Sequence, residues 1–350
     1  MALHDRLRHA RKSTGLTLEQ VAGRVGMSVP SLSAYETGQR EPSFAQLAKL
    51  AKVYHRPIDF FLSEGPLPTE AVIWQVKPPS PQAEELESQF LELARRFHSL
   101  EEWNGCVKSG GLPKFPIPAE PGAGLASRVR RTLGLGDHPG TSLLLELEYV
   151  GVKIFHLPFE PRAASGSTVG EPFGPAVLLN SLASRRERTY TLAQQLFHLL
   201  AWGQFGEADA QKAQALADRF TSCLLLPDEP VRLAVERRLR DGKMTFGELD
   251  AIAKSFDVPL AVFLRRLGEL FGRTLRAVAS LGEEPPEPAP NRPERFVHLA
   301  LMAYKNGKLA LGRLADYLGI SRQEAMRRFF QDGAENLADE EVSLAPSGRY

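Results

Sequence analysis

The stretch LTLEQVAGRVGMSVPSLSAYETGQREP (Leu16–Pro42) decides how the N-terminal part of the chain folds. Thr17 precedes Leu18, Val21, Ala22 and Val25, which share one helical face, so a capped amphipathic helix starts there. Gly26 follows, a residue that takes up the positive φ of a tight turn without strain. Ser28 is then placed to cap a second short helix with Leu32 and Tyr35 turned inward. Pro30 falls in its first turn, where a missing N–H costs little. Two short helices joined by a glycine turn make the helix-turn-helix pattern. Working outward, residues 3–62 read as five short helices. Leu7, Ala10 and Arg11 start the first, FAQLAKLAKVY forms the fourth, and Pro57 opens the short fifth, PIDFFL.

The wider stretch, LRHARKSTG through HRPIDFFL, closely resembles the Xre/Cro/phage-repressor family of DNA-binding domains. The markers are LTLEQVA, GMS, the run SxYExGxRxP and the closing LAKxxxxxxDFFL. That resemblance implies that 28–36 is a recognition helix, that double-stranded DNA is the partner, and that the protein binds it as a homodimer. The candidate DNA-binding residues are Thr17, Ser28, Val29, Ser31, Ser33 and Arg40. Arg40 is placed to meet a phosphate, and Val29 to touch a thymine methyl. The outward side chains are short and include no Arg, Asn or Gln, so dimerisation or DNA shape is expected to supply much of the specificity. A helical domain used for protein contacts is the alternative.

Charge agrees once it is taken by region. The whole chain has 43 Lys and Arg against 42 Asp and Glu, a net charge of +1 that taken as a whole argues against nucleic acid. Residues 1–64, however, hold nine basic and six acidic residues, so this module is basic while the remainder is mildly acidic. Such asymmetry lets one part of a chain seek phosphate and keeps the rest from adhering to it.

A length of 350 residues and a hydrophobic fraction of 43% suit two or three globular domains. Proline- and glycine-rich stretches mark the divisions: GPLPTEAVIWQVKPPSPQ, GGLPKFPIPAEPG and EEPPEPAPNRPE. The expected plan is a 1–64 DNA-binding domain, a 65–119 linker with a connecting helix, a central domain at 120–275, a small helical module at 293–335 and a disordered acidic tail at 336–350. The fold class is mostly α with a small β-sheet (α+β). Two cysteines, Cys106 and Cys223, are too few for a disulfide framework. No apolar run approaches the ~18 residues of a membrane span, and MALHDRLRHARKSTG lacks the apolar segment of a signal peptide. A cytoplasmic, nucleoid-associated bacterial protein is expected.

In the central part, LASRVRRTLGLG and SLLLELEYVG read as helices, VKIFHLPF and GPAVLLNS as strands, and RRERTYTLAQQLFHLLAWG as a long helix with Leu192, Leu196, Leu199 and Leu200 inward. KAQALADRFTSCLLLP is a further helix, and residues 244–271 form a helix pair with Thr245 as cap. This order resembles the ImmA/IrrE family of zinc metallopeptidases over roughly 125–275. The carrying features are LGLG with LLLELEYVGVKIF, then GPAVLLN, RTYTLAQQLFHLL, ALADRFTSCLLLP and LAVFLRRLGEL.

Active members of that family bear His-Glu-x-x-His on the long helix. Two histidines four apart bind Zn²⁺ and the glutamate activates water. A third ligand, a glutamate, lies on the next helix. At the corresponding positions this chain reads Gln194-Gln195-Leu196-Phe197-His198, with Leu216 at the third-ligand position. Only His198 is retained. Gln195 has no basic carboxylate to take a proton from water, and leucine cannot bind metal. The resemblance therefore implies a pseudo-peptidase without metal or other cofactor and without catalytic residues. Its vestigial pocket would have an apolar floor of Leu196, Phe197 and Leu216 with Gln194, Gln195 and His198 as polar points. It would serve a small-molecule or protein effector, partner binding, or dimerisation. Two other functions stay open: an active metallopeptidase with unusual ligands that cleaves a repressor, and an interaction protein of the antitoxin or anti-repressor type.

RFVHLALMAYKNGKLALGRLADYLGISRQEAMRRFF (295–330) reads as three helices, with a second helix–glycine–Ser cap–helix order around Gly319 and Ser321. Arg322, Arg327 and Arg328 could contact DNA, but a solvated charged face on a packing domain is the favoured expectation. No repeat of fixed period is seen.

Overall fold

The computed structural model describes residues 3–13, 16–54, 58–62, 72–79, 82–108, 112–113, 115, 122–170, 173–202, 210–240, 243–272 and 284–331. The expected tail lies outside the described residues. Two compact units are formed, one from residues 1–98 and 108–290, the other from 99–107 and 291–350.

In the first unit the head is built from α1 (Leu3–Ser13), α2 (Leu18–Val25), α3 (Val29–Glu36), α4 (Phe44–Val53) and α5 (Ile58–Leu62). Leu7, Val21, Val25, Leu32, Tyr35, Leu47, Leu50 and Tyr54 are buried together. Leu18, Val21, Ala22 and Val25 recur at three- and four-residue spacing, so closing this core fixes the face that α2 turns inward. Gly26 ends α2 at φ 69°, in the left-handed region where a side chain would be strained. Arg11 of α1 grips Glu36 of α3 through two hydrogen bonds of 2.7 and 2.9 Å, and both side chains are largely buried.

The central part surrounds a four-stranded sheet in the order β1 (Ile73–Val76), β3 (Ser165–Gly170), β4 (Gly174–Asn180), β2 (Lys153–Leu157). β2 and β4 run parallel, and the other two pairs are antiparallel. Two of these strands correct the sequence reading. β1 lies inside the stretch read as linker, and β3, Ser-Gly-Ser-Thr-Val-Gly, was not foreseen. β3 carries no apolar alternation, and its Ser165, Ser167 and Thr168 are buried. A Cβ on Gly166 would come within 2.9 Å of the Val72 side chain, so the close pairing of β1 with β3 needs glycine there. The pairing slips between Trp74 and Val76, which leaves Gln75 as a bulge.

Helices α6 (Gln82–Trp103), α7 (Ala123–Thr132), α8 (Pro139–Tyr149), α9 (Arg185–Leu200), α10 (Ala210–Leu225), α11 (Asp228–Glu236), α12 (Phe246–Ser255) and α13 (Leu260–Phe271) complete this part. The last turn of α6 belongs to the second unit. The long helix α9 starts at a capping box: Ser184 accepts from the Glu187 N–H, and Glu187 accepts from the Ser184 N–H. Its Leu192, Ala193, Leu196 and Phe197 enter one core with Leu143, Leu147, Ile154, Val177, Phe220, Leu224 and Phe263. Residues 284–290 lie on the start of α9, where Arg186 pairs with Glu284 and Arg188 donates to the Glu287 carbonyl.

The second unit contains α14 (Glu294–Lys305), α15 (Leu311–Leu318), α16 (Arg322–Met326) and a π-helical turn over Arg327–Gln331. Phe296, Leu299, Ala300, Leu314, Ala315, Tyr317, Leu318 and Ala325 are buried. Tyr317 stacks on Phe296 and packs beside Trp103. Glu101 pairs with Arg295, which also donates to the Cys106 carbonyl.

Candidate functional site

Two places hold the sequence-predicted residues: one surface of the head, and a cleft beside α9. On the head, α2 and α3 are both capped by hydroxyls. Thr17 Oγ1 accepts from the Gln20 N–H at 3.2 Å while the Gln20 side chain accepts from the Thr17 N–H at 2.9 Å. Ser28 Oγ accepts from the Ser31 N–H at 3.3 Å and lies 2.8 Å from Ser31 Oγ. Thr17, Ser28 and Arg40 are exposed, whereas Val29, Ser31 and Ser33 are half-buried. Val29 packs against the head core, so only part of its side chain is open to a thymine methyl. Pro30, Thr37 and Gln39 are also exposed on or beside α3 and were not among the expected contacts. Gln39 carries an amide of the kind that reads adenine. It sits one residue before Arg40, just past the helix, where a search along the helix alone overlooks it.

The charge of the head divides between inside and outside. Arg8 donates to the Glu36 carbonyl, and Arg11 is held by the Glu36 carboxylate, which raises its pKa further. Among the described residues, Arg24, Arg40, Lys49 and Lys52 are the exposed cations of this domain, and Glu19 and Glu41 are exposed acids. The outside is therefore basic even after internal pairing is taken away.

Beside α9 lies a cleft of about 830 Å³, bordered by Gln75, Pro161, Tyr190, Thr191, Gln194 and Pro286 among others. Gln194 lines it, but Gln195, Leu196 and Phe197 do not. Leu196 and Phe197 are wholly buried in the central core, and Phe197 packs on Phe220. The expected apolar floor is thus corrected, because α9 turns these two side chains away from the cleft. Leu216 is half-buried against the same core.

The polar residues form one ladder of neutral amides. Gln195 Nε2 donates to Ser165 Oγ (2.8 Å), Ser165 Oγ to Gln75 Oε1 (3.0 Å), and Gln75 Nε2 to Gln194 Oε1 (2.7 Å). Gln194 Nε2 then donates to Asp218 Oδ1 at 2.5 Å, which also accepts from Gln214 Nε2 at 3.1 Å. Gln75, the bulged residue of β1, is a member that sequence reasoning missed. A bulge re-aims one side chain, and nothing in a proline-rich stretch announces it.

His198 is buried with its Nε2 unpartnered. Desolvation lowers its pKa, against the opposing effects of hydrogen bonding to Gln214 as acceptor and of the Asp218 charge. His156, another buried histidine, is held down at about 4, first by desolvation and then by the Arg188 charge.

This donor set does not fit a zinc ion. Among the described residues no three His, Cys, Asp or Glu side chains come together. One imidazole and one carboxylate already taking two amide donors stand where a tetrahedral site needs three protein ligands. Of the ladder's amides, Gln75 and Gln194 are the ones that border the cleft.

Residues 2–59 match the family model described as a helix-turn-helix domain. Residues 147–268 match the model described as an IrrE N-terminal-like domain. The chain joins an Xre-like helix-turn-helix head to an IrrE-like module. The head is 37% identical over 58 residues to the uncharacterized HTH-type transcriptional regulator YobD of Bacillus subtilis, covering 17% of this chain and 52% of that protein. It is 44% identical over 54 residues to the HTH-type transcriptional regulator DdrOP3 of Deinococcus deserti, covering 15% and 42% respectively. The chain thus spans about half the length of the curated relatives it matches. No solved structure matches it. Among the described residues, no helix is long and apolar enough to cross a membrane.

Proposed function

We propose that the protein is a DNA-binding transcriptional regulator that engages a two-fold operator as a homodimer through the head, and that its IrrE-like module is a catalytically inactive sensor or partner-binding domain. One observation supports the reading most: the capped, partly exposed α3 flanked by Gln39 and Arg40, on a domain whose outer charge is basic. Arg40 takes a phosphate, which positions the head, while Ser31, Ser33 and Gln39 face base edges. Thr17 and Ser28 act chiefly as caps. The amide ladder supports the second half, since Gln195 supplies no base for water and the cleft beside it is large enough for an effector.

Selection of genomic fragments on the full chain, followed by footprinting, tests the first half. Protection of paired half-sites about one helical turn apart is expected, with Arg40→Ala weakening every site about tenfold or less and lowering the salt slope by about one. Failure to enrich any fragment at low salt sinks it. Metal analysis tests the second half: stoichiometric zinc whose removal by a chelator abolishes a peptidase activity overturns the inactive reading.

A further inference from the structure

The same helix-turn-helix frame occurs three times among the described residues. In the head it reads Val21-Ala22-x-x-Val25-Gly26-Met27-Ser28, at α12–α13 Ile252-Ala253-x-x-Phe256-Asp257-Val258-Pro259, and at α15–α16 Leu314-Ala315-x-x-Leu318-Gly319-Ile320-Ser321. Every apolar and alanine position before the turn is buried in all three. The turn residue has φ 69° at Gly26, 55° at Asp257 and 67° at Gly319. The next N–H reaches back to the frame alanine at 3.1 Å each time: Met27 to Ala22, Val258 to Ala253 and Ile320 to Ala315. The second helix then opens with a bond from Leu32 to Ser28, Phe263 to Pro259 and Ala325 to Ser321, and all three donors are buried.

The frames differ in what the second helix shows. At α13 the outer positions are taken by the core: Leu260 and Leu264 stand where the head has Val29 and Ser33, and both are buried. The turn residue Asp257 is itself buried, accepting from Thr189 and Arg185 of α9. This copy is structural. At α16 the corresponding residues are Arg322 and Met326, and both are exposed, as are Gln323, Arg327 and Arg328. Arg327 and Arg328 pair with Glu324. Arg322 and Gln323 have no side-chain partner among the described residues. Arg313, Lys305 and Lys308 add exposed cations to the same unit.

We propose that α16 is a second duplex-DNA contact, with Arg322 on a phosphate and Gln323 at a base edge. The occupant is DNA because the frame is that of the head, the outer face is basic, and its partnerless side chains are the two types that α3 itself lacks. A guanidinium holds phosphate bidentately, and a glutamine amide pairs with adenine. The head, with short outward side chains, reads few bases alone; a second reader in the same chain lengthens the site and raises the effective concentration of each.

The inference extends the DNA-binding reading, and its test separates the two. The full chain, its Arg322→Ala/Gln323→Ala variant and its Arg40→Ala variant are titrated against the selected genomic duplex and a scrambled duplex over a range of salt. The tail variant is expected to bind the selected duplex about tenfold more weakly, with its salt slope lower by about one and a shorter footprint. Thermal unfolding should stay unchanged, since both residues are exposed. If Arg40→Ala weakens binding and the tail variant does not, α16 is a packing element and the inference is overturned while the head reading stands. If only the tail variant weakens binding, the head reading falls and the inference stands. If neither changes anything, the inference is overturned.

Discussion

The head and the central module answer the same problem, polar groups buried against a helix, in opposite ways. In the head a charge meets a charge: Arg11 and Glu36 close two short hydrogen bonds out of solvent, and the remaining exposed cations face outward. Along α9, neutral meets neutral: Gln195, Ser165, Gln75 and Gln194 pass hydrogen bonds along a ladder that ends on Asp218. The first arrangement keeps net positive charge at the surface, as a phosphate-binding face requires. The second sets neutral amides where a dication would need charged ligands, and it links Gln195, Gln75 and Gln194 through hydrogen bonds while Gln195 Oε1 and His198 Nε2 have no partner among the described residues. The difference teaches that a cleft lined by neutral amides in place of metal ligands need not be a collapsed one.

The largest test of this contrast is to break the pair in the head. Glu36→Gln leaves the Arg11 guanidinium largely buried without its counter-charge. Breaking such a pair on one side costs about 3–5 kcal/mol. Denaturant unfolding of the full chain, followed by a probe in the head, should show that loss, and DNA affinity should fall with the folded fraction of the head. A cost below about 1 kcal/mol would mean that the pair is decorative.

The next effect belongs to the centre and depends on pH. His156 ionises near 4 when folded, against an ordinary value of 6.5, because burial and Arg188 disfavour its cation. Between those values the unfolded chain binds a proton that the folded chain refuses, so stability is lost as pH falls from about 6.5 towards 4. A shift of this size is worth about 3 kcal/mol at the acid end. The burial-driven shift at His198 acts in the same direction. Denaturation midpoints measured from pH 7 to 4 should fall for the native chain and fall less for His156→Gln. Equal slopes would remove His156 from the account.

These sites were unequally legible. The helices of the head announce themselves, since Thr17, Gly26, Ser28 and the Val21–Ala22–Val25 face each follow from local rules. The losses at Gln194, Gln195 and Leu216 were visible against a motif of fixed spacing. What replaced them was not, because the ladder depends on Gln75, in a bulge more than a hundred residues away in sequence, and on Ser165, in a strand with no apolar alternation. β3 is held by backbone pairing and close glycine contact, neither of which leaves a hydropathy signal. The orientation of Phe197 was missed for a related reason: spacing places a residue on α9, but only packing decides which side of that helix faces the cleft. The turn frame is legible at Gly26–Ser28 and again at Gly319–Ser321, but not at α12–α13, where Asp257 and Pro259 stand in place of the glycine and the capping serine.

The smallest effect isolates charge from fold. Both capping boxes of the head use glutamine, Gln20 and Gln46, whereas those at α9 and α12 use glutamate, Glu187 and Glu248. Either residue completes the box, and a carboxylate at a helix start gains a few tenths of a kcal/mol from the dipole. On stability alone, Gln20→Glu should be neutral or slightly favourable. Near a phosphate backbone the added negative charge acts the other way, so the variant should bind DNA a few-fold more weakly at low salt, and the difference should fade as salt rises. The corresponding exchange in the centre, Glu187→Gln, should leave DNA binding untouched. Equal affinity for Gln20→Glu and the native chain at low salt would show that the start of α2 lies away from the DNA, and would move the phosphate-facing surface towards Arg40, Lys49 and Lys52.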